Sequence, residues 1–471
     1  MSDLFTDANG GTPAVPHVAI VGGGIAGLAA AYYLARGASE AGRPLRYTLL
    51  ERDTRVGGKI VSEEADGFLV EGGPDCFLTR KPAALTLCRE LGLTDDLLGT
   101  NDAARRVFVL SDGRLHPLPE GVMLIVPTQF LPFATSRLIS WPGKLRMGMD
   151  LVIPRRKEDG DETLGSFVRR RLGQEALDKI AEPLLSGIHV SDPNRLSLKS
   201  SFPRLMDVER KYGSLIRGML AARRAMGTSP SDNGSRPRLP MFMTLRGGMG
   251  QLVARLLDEL ESGAVRTGCS VTGIESLDGF GPPFRLHLSD GEPLRADAVV
   301  LATPADVTGR LVQELNPQLS QDLAHIRYVS TAVVSVGYGP GKGVEPFRGF
   351  GFIIPKTENR RITACTWTST KFDNRAPDGH RLVRCFVGGP RREEIAELDD
   401  APLRQVVLEE LADIMGLRAE PDLVRIYRWP KVNPQYDLGH LDRVAAMRQR
   451  AASHGGLFLV GSSYDGVGVP D

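Results

Sequence analysis

The stretch "HVAIVGGGIAGLAAAYYLARG" sets Gly22, Gly24 and Gly27 in a G-x-G-x-x-G spacing, between an apolar run (Val18 to Val21) and an Ala/Leu-rich segment. In a strand–turn–helix unit each glycine has its own physical reason. Gly22 closes the tight turn, Gly24 leaves room for a pyrophosphate against the backbone, and Gly27 lets the helix lie close to the strand. Gly23, Ile25 and Ala26 fill the turn, and the unpaired N–H groups of a helix start attract an anion. A second apolar run, "RYTLLERD", ends on Glu51, 24 residues after Gly27. A carboxylate at that strand tip accepts hydrogen bonds from a ribose diol, so the order predicts a dinucleotide with an unphosphorylated adenosine ribose.

Just past the acid come "RVGGKI", carrying Arg55, Gly57, Gly58 and Lys59, and "GFLVEGGPDCF". Nicotinamide enzymes seldom need a second glycine-and-basic loop there. An extended flavin dinucleotide does, because backbone N–H groups must follow its whole pyrophosphate and ribityl chain. FAD is therefore the expected cofactor. The residues expected to hold it are Gly22, Gly23, Gly24, Ile25, Ala26, Gly27, Glu51, Arg52, Lys59, Gly73, Pro74, Asp75 and Cys76.

The elements that position these residues belong to a long chain. At 471 residues it exceeds the size of a single growing core, which predicts two or three domains. Lys plus Arg number 58 and Asp plus Glu 57, a balance that excludes the clustered basic excess of a nucleic-acid binder. The five cysteines (Cys76, Cys88, Cys269, Cys365, Cys385) are scattered and show no C-x-x-C pair; they read as buried free thiols of a reducing compartment. "MSDLFTDANGGTPAVP" has no basic-then-apolar order and reads as a loose leader, not a secretory signal. The most apolar stretch, "PLPEGVMLIVPTQFLPFATSRLIS", is interrupted by Pro117, Pro119, Pro127 and Pro132. Such prolines break a membrane-spanning helix and predict a lid of loops and short helices.

Taken together, "RVGGKI", "EGGPDCFLTRK", "EPLLSGIHVSD", "ITACTWT", "PQYDLGHL" and "SSYDGVGVPD" resemble the flavin-dependent porphyrinogen oxidases of haem synthesis, in particular the soluble bacterial type acting on coproporphyrinogen III. The resemblance covers about Val18 to Asp471. It implies an α/β fold: a Rossmann-like FAD domain of glutathione-reductase/amine-oxidase type, an antiparallel-sheet substrate domain and a helical insert. The segments expected are FAD-binding parts at 15–81, 242–304 and 455–471, substrate-domain parts at 82–117, 205–241 and 305–454, and a helical, membrane-facing cap at 118–204. By composition, "RAMGTSPSDNGSRPRLP" is a flexible loop. In the resembled family a Cys-containing helix follows "GVGVPD", so the chain is read as ending one helix short, with the weaker flavin binding that implies.

The resemblance also implies a reaction: six-electron aromatisation of a porphyrinogen in three hydride abstractions, with electrons passing to dioxygen and giving hydrogen peroxide. It adds Val271, Trp429, Val467, Gly468 and Val469 to the cofactor set. It implies substrate contacts at Gly187 (a carbonyl facing pyrrole N–H groups), Phe350 and Ile353 (a pyrrole sandwich) and Phe386 (a pocket wall). Lys81 and Arg106 are the expected carboxylate anchors. His116, His189 and His440 sit in resembling motifs and read as satisfied or surface histidines. A cytoplasmic enzyme with at most peripheral membrane contact is expected, together with a downstream ferrochelatase-type partner. The alternatives are a protoporphyrinogen IX oxidase, a flavin amine oxidase or desaturase of the same fold, and a prenyl-binding scaffold without flavin. Glu51 and the intact glycines argue against the last.

Overall fold

The computed structural model of the 471-residue chain describes residues 15–119, 122–123, 125–127, 129–158, 160–227, 239–277 and 283–471. Nearly all of the expected leader and most of the loop expected at 224–240 lie outside the described residues. Two compact units emerge. The first comprises residues 15–61, Gly250–Ile326 and Arg443–Asp465; the second comprises Ser62–Met249, Arg327–Asp442 and Gly466–Asp471. Against the expected segments, the first unit stops at Val61 instead of Lys81. It also takes in the helices Ala305–Leu311 and Pro317–Ala324, and it yields the last six residues to the second unit.

The first unit is built on a five-stranded sheet in which every pairing is parallel. Its strand order is Val265–Arg266, Arg46–Leu50, His17–Val21, Ala298–Leu301, Leu457–Leu459. Ala19, Ile20, Leu49, Val299 and Leu301 are fully buried, as expected of parallel strands covered on both faces. The helix Ile25–Glu40 follows the first strand and buries Gly27, Leu28, Ala31 and Tyr32, a spacing that keeps one stripe inward. A separate antiparallel meander (Val271–Ser276, Phe284–Leu288, Leu294–Ala296) completes the unit.

The second unit carries a seven-stranded sheet ordered Leu423–Pro434, Tyr328–Tyr338, Arg381–Gly388, Ile362–Thr366, Gly351–Ile353, Val107–Ser111, Arg114–Pro117. It is antiparallel as expected except for one pair: Gly351–Ile353 runs parallel to Val107–Ser111. Period-two side-chain alternation sends successive residues to opposite faces. Val334, Val336, Phe352, Cys365, Val383 and Cys385 form one buried core with Leu403, Val407 and Leu411 of the helix Asp400–Met415. The helical insert forms a second core around Leu164, Phe167, Leu177, Ile180 and Leu205, against which Ile353 and Val467 pack. Within that insert Arg171 and Asp150 are wholly buried as a pair. The arginine also donates to the carbonyls of Ile153 and Gly213, and Asp150 accepts from Ser214 and Ile216. The apolar stretch read as a lid holds a short hairpin (Val122–Met123 with Val126–Pro127) and the helix Phe130–Thr135. Among the described residues no helix is long and apolar enough to cross a membrane.

Candidate active site

In the first unit the glycine turn has the form its spacing predicts. Gly22 sits at φ +107°, a conformation costly for any other residue. A Cβ on Gly27 would fall 1.9 Å from the carbonyl oxygen of Gly22, so only glycine lets helix and turn approach. Before Gly24, by contrast, space is open: a Cβ there meets no heavy atom within 4 Å. Gly24 caps the helix without a side chain, which leaves the first-turn N–H groups free of a side-chain partner. The second loop is stitched onto the first: Gly57 N–H donates to the Gly23 carbonyl at 2.7 Å, and Gly24 and Gly57 form an isolated bridge. Glu51 follows its strand directly, and its two carboxylate oxygens accept from Gly23 N–H at 2.7 Å and Asp53 N–H at 2.8 Å. Those bonds fix the carboxylate and leave lone pairs for a ribose diol. An open glycine cradle, uncapped helix N–H groups and an immobilised acid fit the adenosine diphosphate half of FAD.

Other expected cofactor residues of this unit are placed less alike. Arg52 is exposed and pairs with Asp53 at 3.2 Å. The Lys59 ammonium is crowded enough that burial lowers its pKa to about 8. Val271 opens the meander at a bulge in its pairing with Leu288. Ile25 and Ala26 form the first turn of the helix.

In the second unit strand register gathers the expected substrate residues. Ile353 pairs with Ala364, Ala364 with Phe386, Phe386 with Val333 and Val333 with Tyr427, so these five share one face. That face is opposite the one packed on the Asp400–Met415 helix. Arg384, two residues before Phe386, lies on the same face with its guanidinium carbon 4.9 Å from the Phe386 ring centroid. Phe350 is tied by its backbone between Arg106 and Trp367: its N–H donates to the Arg106 carbonyl, and its own carbonyl accepts from Trp367. The Arg106 side chain is exposed. Lys81, also exposed, forms an ion pair with Asp471. Gly187 lies in the helix Glu182–His189, which follows a π-helical stretch, Leu177–Ala181. His189 at its end is desolvated, which lowers its pKa to about 4 with help from the charge of Lys81. His440 is buried and stacks on Tyr436 at 3.9 Å, while His116 is a strand residue paired with Val109.

Gly73, Pro74, Asp75 and Cys76 are brought together with charges that sequence reasoning missed. Lys371 donates to Asp75 at 2.8 Å and reaches the Cys76 sulfur at 3.5 Å. Arg384 donates to the Gly73 carbonyl and sits 3.9 Å from Asp75. Trp429 donates its indole N–H to the Gly72 carbonyl at 2.8 Å. Glu71, one residue back, accepts from Met249 N–H and from Ser62. Burial works to raise the Asp75 pKa, but the charges of Lys371 and Arg384 outweigh it and hold the carboxyl well below its ordinary range. Burial pushes Cys76 up to about 12 and Glu71 up to about 7. One signal was legible: an arginine in the apolar run "RLVRCFVGG" needs a buried partner. At the tail, Val467 packs on the insert core, Gly468 N–H donates to the Asp471 side chain, and Val469 is half-buried.

Comparison with known proteins sets this geometry in a family. The model of the flavin containing amine oxidoreductases matches residues 25–471. A coproporphyrinogen III oxidase of Bacillus subtilis (strain 168) is 38% identical over 97% of this chain and 95% of its own length. One from Propionibacterium freudenreichii subsp. freudenreichii is 38% identical over 99% and 90%. A crystal structure from Exiguobacterium sp. 255-15, provisionally named a protoporphyrinogen oxidase, superposes with a TM-score of 0.85 at 33% identity, covering 97% of this chain and 96% of its own. With the cradle and fixed acid already described, these likenesses make FAD the cofactor and the protein an oxidoreductase. The chain belongs to the flavin containing amine oxidoreductases and, within them, to the group that holds the coproporphyrinogen III and protoporphyrinogen oxidases.

Proposed function

We propose that the protein oxidises coproporphyrinogen III to coproporphyrin III, with dioxygen as electron acceptor. The observation that carries this reading is the face of the seven-stranded sheet opposite the Asp400–Met415 helix. Ile353, Ala364, Phe386 and Val333 stand in register there beside the cation of Arg384, in a unit that also holds Lys81 and Arg106. A large apolar macrocycle with charged side arms asks for that combination, and relatives at 38% identity bear the corresponding name.

When bound, the flavin accepts hydride equivalents from carbon. Gly22 to Gly27 would hold its pyrophosphate, Glu51 its ribose, and the Gly73–Cys76 segment with Trp429 the rest. Val271, Val467, Gly468 and Val469 complete the proposed set. Ile353, Phe350 and Phe386 would pack the macrocycle, the Gly187 carbonyl would accept from its pyrrole N–H groups, and Lys81 and Arg106 would meet its carboxylates. Five unpaired cysteines favour a reducing cytoplasm. Trp141, Leu145 and Val152, all strongly exposed, support peripheral membrane contact. A ferrochelatase-type enzyme would take the product.

The test is steady-state oxidation of the tetracarboxylate coproporphyrinogen III and the dicarboxylate protoporphyrinogen IX, followed by porphyrin fluorescence and peroxide release. The expected result is a higher kcat/KM for the tetracarboxylate with peroxide formed. Turnover of neither substrate by flavin-loaded protein would overturn the reading. A clear preference for the dicarboxylate would make the protein a protoporphyrinogen oxidase.

A further inference from the structure

The charges behind Gly73–Cys76 do not balance. Lys371, Arg375 and Arg384 bring three cations, while Asp75 and Glu71 bring two carboxylates. Glu71, with its pKa near 7, is part-protonated at neutral pH, which widens the excess. The arginines are almost inaccessible: Arg375 is 1% and Arg384 4% exposed. Arg375 spends its terminal nitrogens on Thr244 and on the carbonyls of Leu245 and Arg246, and Arg384 spends one on Gly73. The Nε of each is buried without a hydrogen-bond partner among the described residues. Lys371 is held by Asp75 and Cys76 and lies over the rings of Phe372 and Phe242. Desolvating an unmatched cation is costly, so a buried surplus needs a compensating anion or negative potential.

We propose that Lys371, Arg375 and Arg384 form a buried cationic platform that fixes the Gly73–Cys76 backbone and, through its unmatched positive charge, favours the reduced state of the flavin. The proposal rests on the reading of Gly73–Cys76 as a flavin-holding segment. Two-electron reduction adds negative charge to an isoalloxazine, and nearby positive charge tunes that equilibrium. In a site of low dielectric such a charge acts strongly and at longer range than in water. Lys371 is thus a positioning residue with an electrostatic part.

The experiment equilibrates purified holoenzyme with a reference redox dye and reads the reduced-to-oxidised flavin ratio at fixed dye potential. In Lys371→Met, which removes a cation, the ratio should fall about tenfold, or ~1.4 kcal/mol. In Asp75→Asn, which removes an anion, it should rise several-fold. Lys371→Arg should stay near wild type, and the double variant Asp75→Asn/Lys371→Met, which keeps the net charge, should return toward wild type even where Lys371→Met alone folds poorly. A purely structural role would move Lys371→Met and Asp75→Asn in the same direction or leave both unchanged, and either outcome overturns the proposal. Wild-type protein that binds no flavin would instead sink the cofactor assignment beneath it.

Discussion

A Cβ on Gly72 would lie 2.5 Å from Cδ1 of Tyr427, inside the ring's contact distance. Gly72→Ala must therefore push the ring or the Gly72–Cys76 backbone aside. Overpacking of this kind costs about 1–3 kcal/mol. A lower Tm and a reduced flavin-to-protein ratio are expected; an unchanged flavin content would show that the segment does not hold the cofactor. Glu71 offers a test by pH. Its carboxyl titrates near 7 when folded against an ordinary value of 4.5, because burial disfavours the charge. Between those values the folded chain keeps a proton that the unfolded chain has lost, so this group's contribution to stability falls as pH rises through the window. Glu71→Gln removes that slope. Relative to the variant, wild type should lose on the order of 3 kcal/mol between pH 4.5 and 7.5, read from urea unfolding at a series of pH values. A pH-independent difference would contradict it. At this scale the glycines were legible in the sequence because each has a steric reason tied to local spacing. The partners of Lys371, Arg375 and Arg384 (Asp75, Thr244 and Gly73) were not, because they lie between 131 and 311 residues away along the chain.

The elements of the nucleotide unit were readable for a related reason. Apolar runs such as "VAIV" and "AVVL" are buried on both faces, and the helix after the first strand starts at the glycine turn. The seven-stranded sheet was only half readable. Alternation in "TAVVSVGYG" and "RLVRCFVGG" marks strands, yet nothing local says that Gly351–Ile353 will run parallel to Val107–Ser111. That pairing closes a long loop, and its register is fixed by distant packing. The insert's stability hinges on a pair that no motif announced. Arg171→Met would leave the Asp150 carboxylate buried and unpaired, a loss of about 3–5 kcal/mol. Arg171→Met/Asp150→Asn should recover part of it. Urea midpoints for the two variants measure the difference, and equal midpoints would mean that the pair does not couple.

At the scale of the whole molecule, near-neutral net charge rules out a general attraction for acidic partners. Any preference for a tetracarboxylate must then come from individual cations. Lys81 is exposed and forms a salt bridge with Asp471. Exposed pairs contribute little to stability, so Lys81→Ala should leave the Tm nearly unchanged. Its expected effect is a several-fold higher KM for coproporphyrinogen III and a smaller rise for protoporphyrinogen IX. An equal effect on both would remove Lys81 from the carboxylate site. The central claim is that a tetrapyrrole gives its electrons to FAD held by this chain. It is tested most directly by mixing the flavin-loaded protein with coproporphyrinogen III without oxygen and following a single turnover. The account predicts bleaching of the flavin band together with the appearance of a porphyrin spectrum. Flavin that stays oxidised while the tetrapyrrole remains colourless would contradict it.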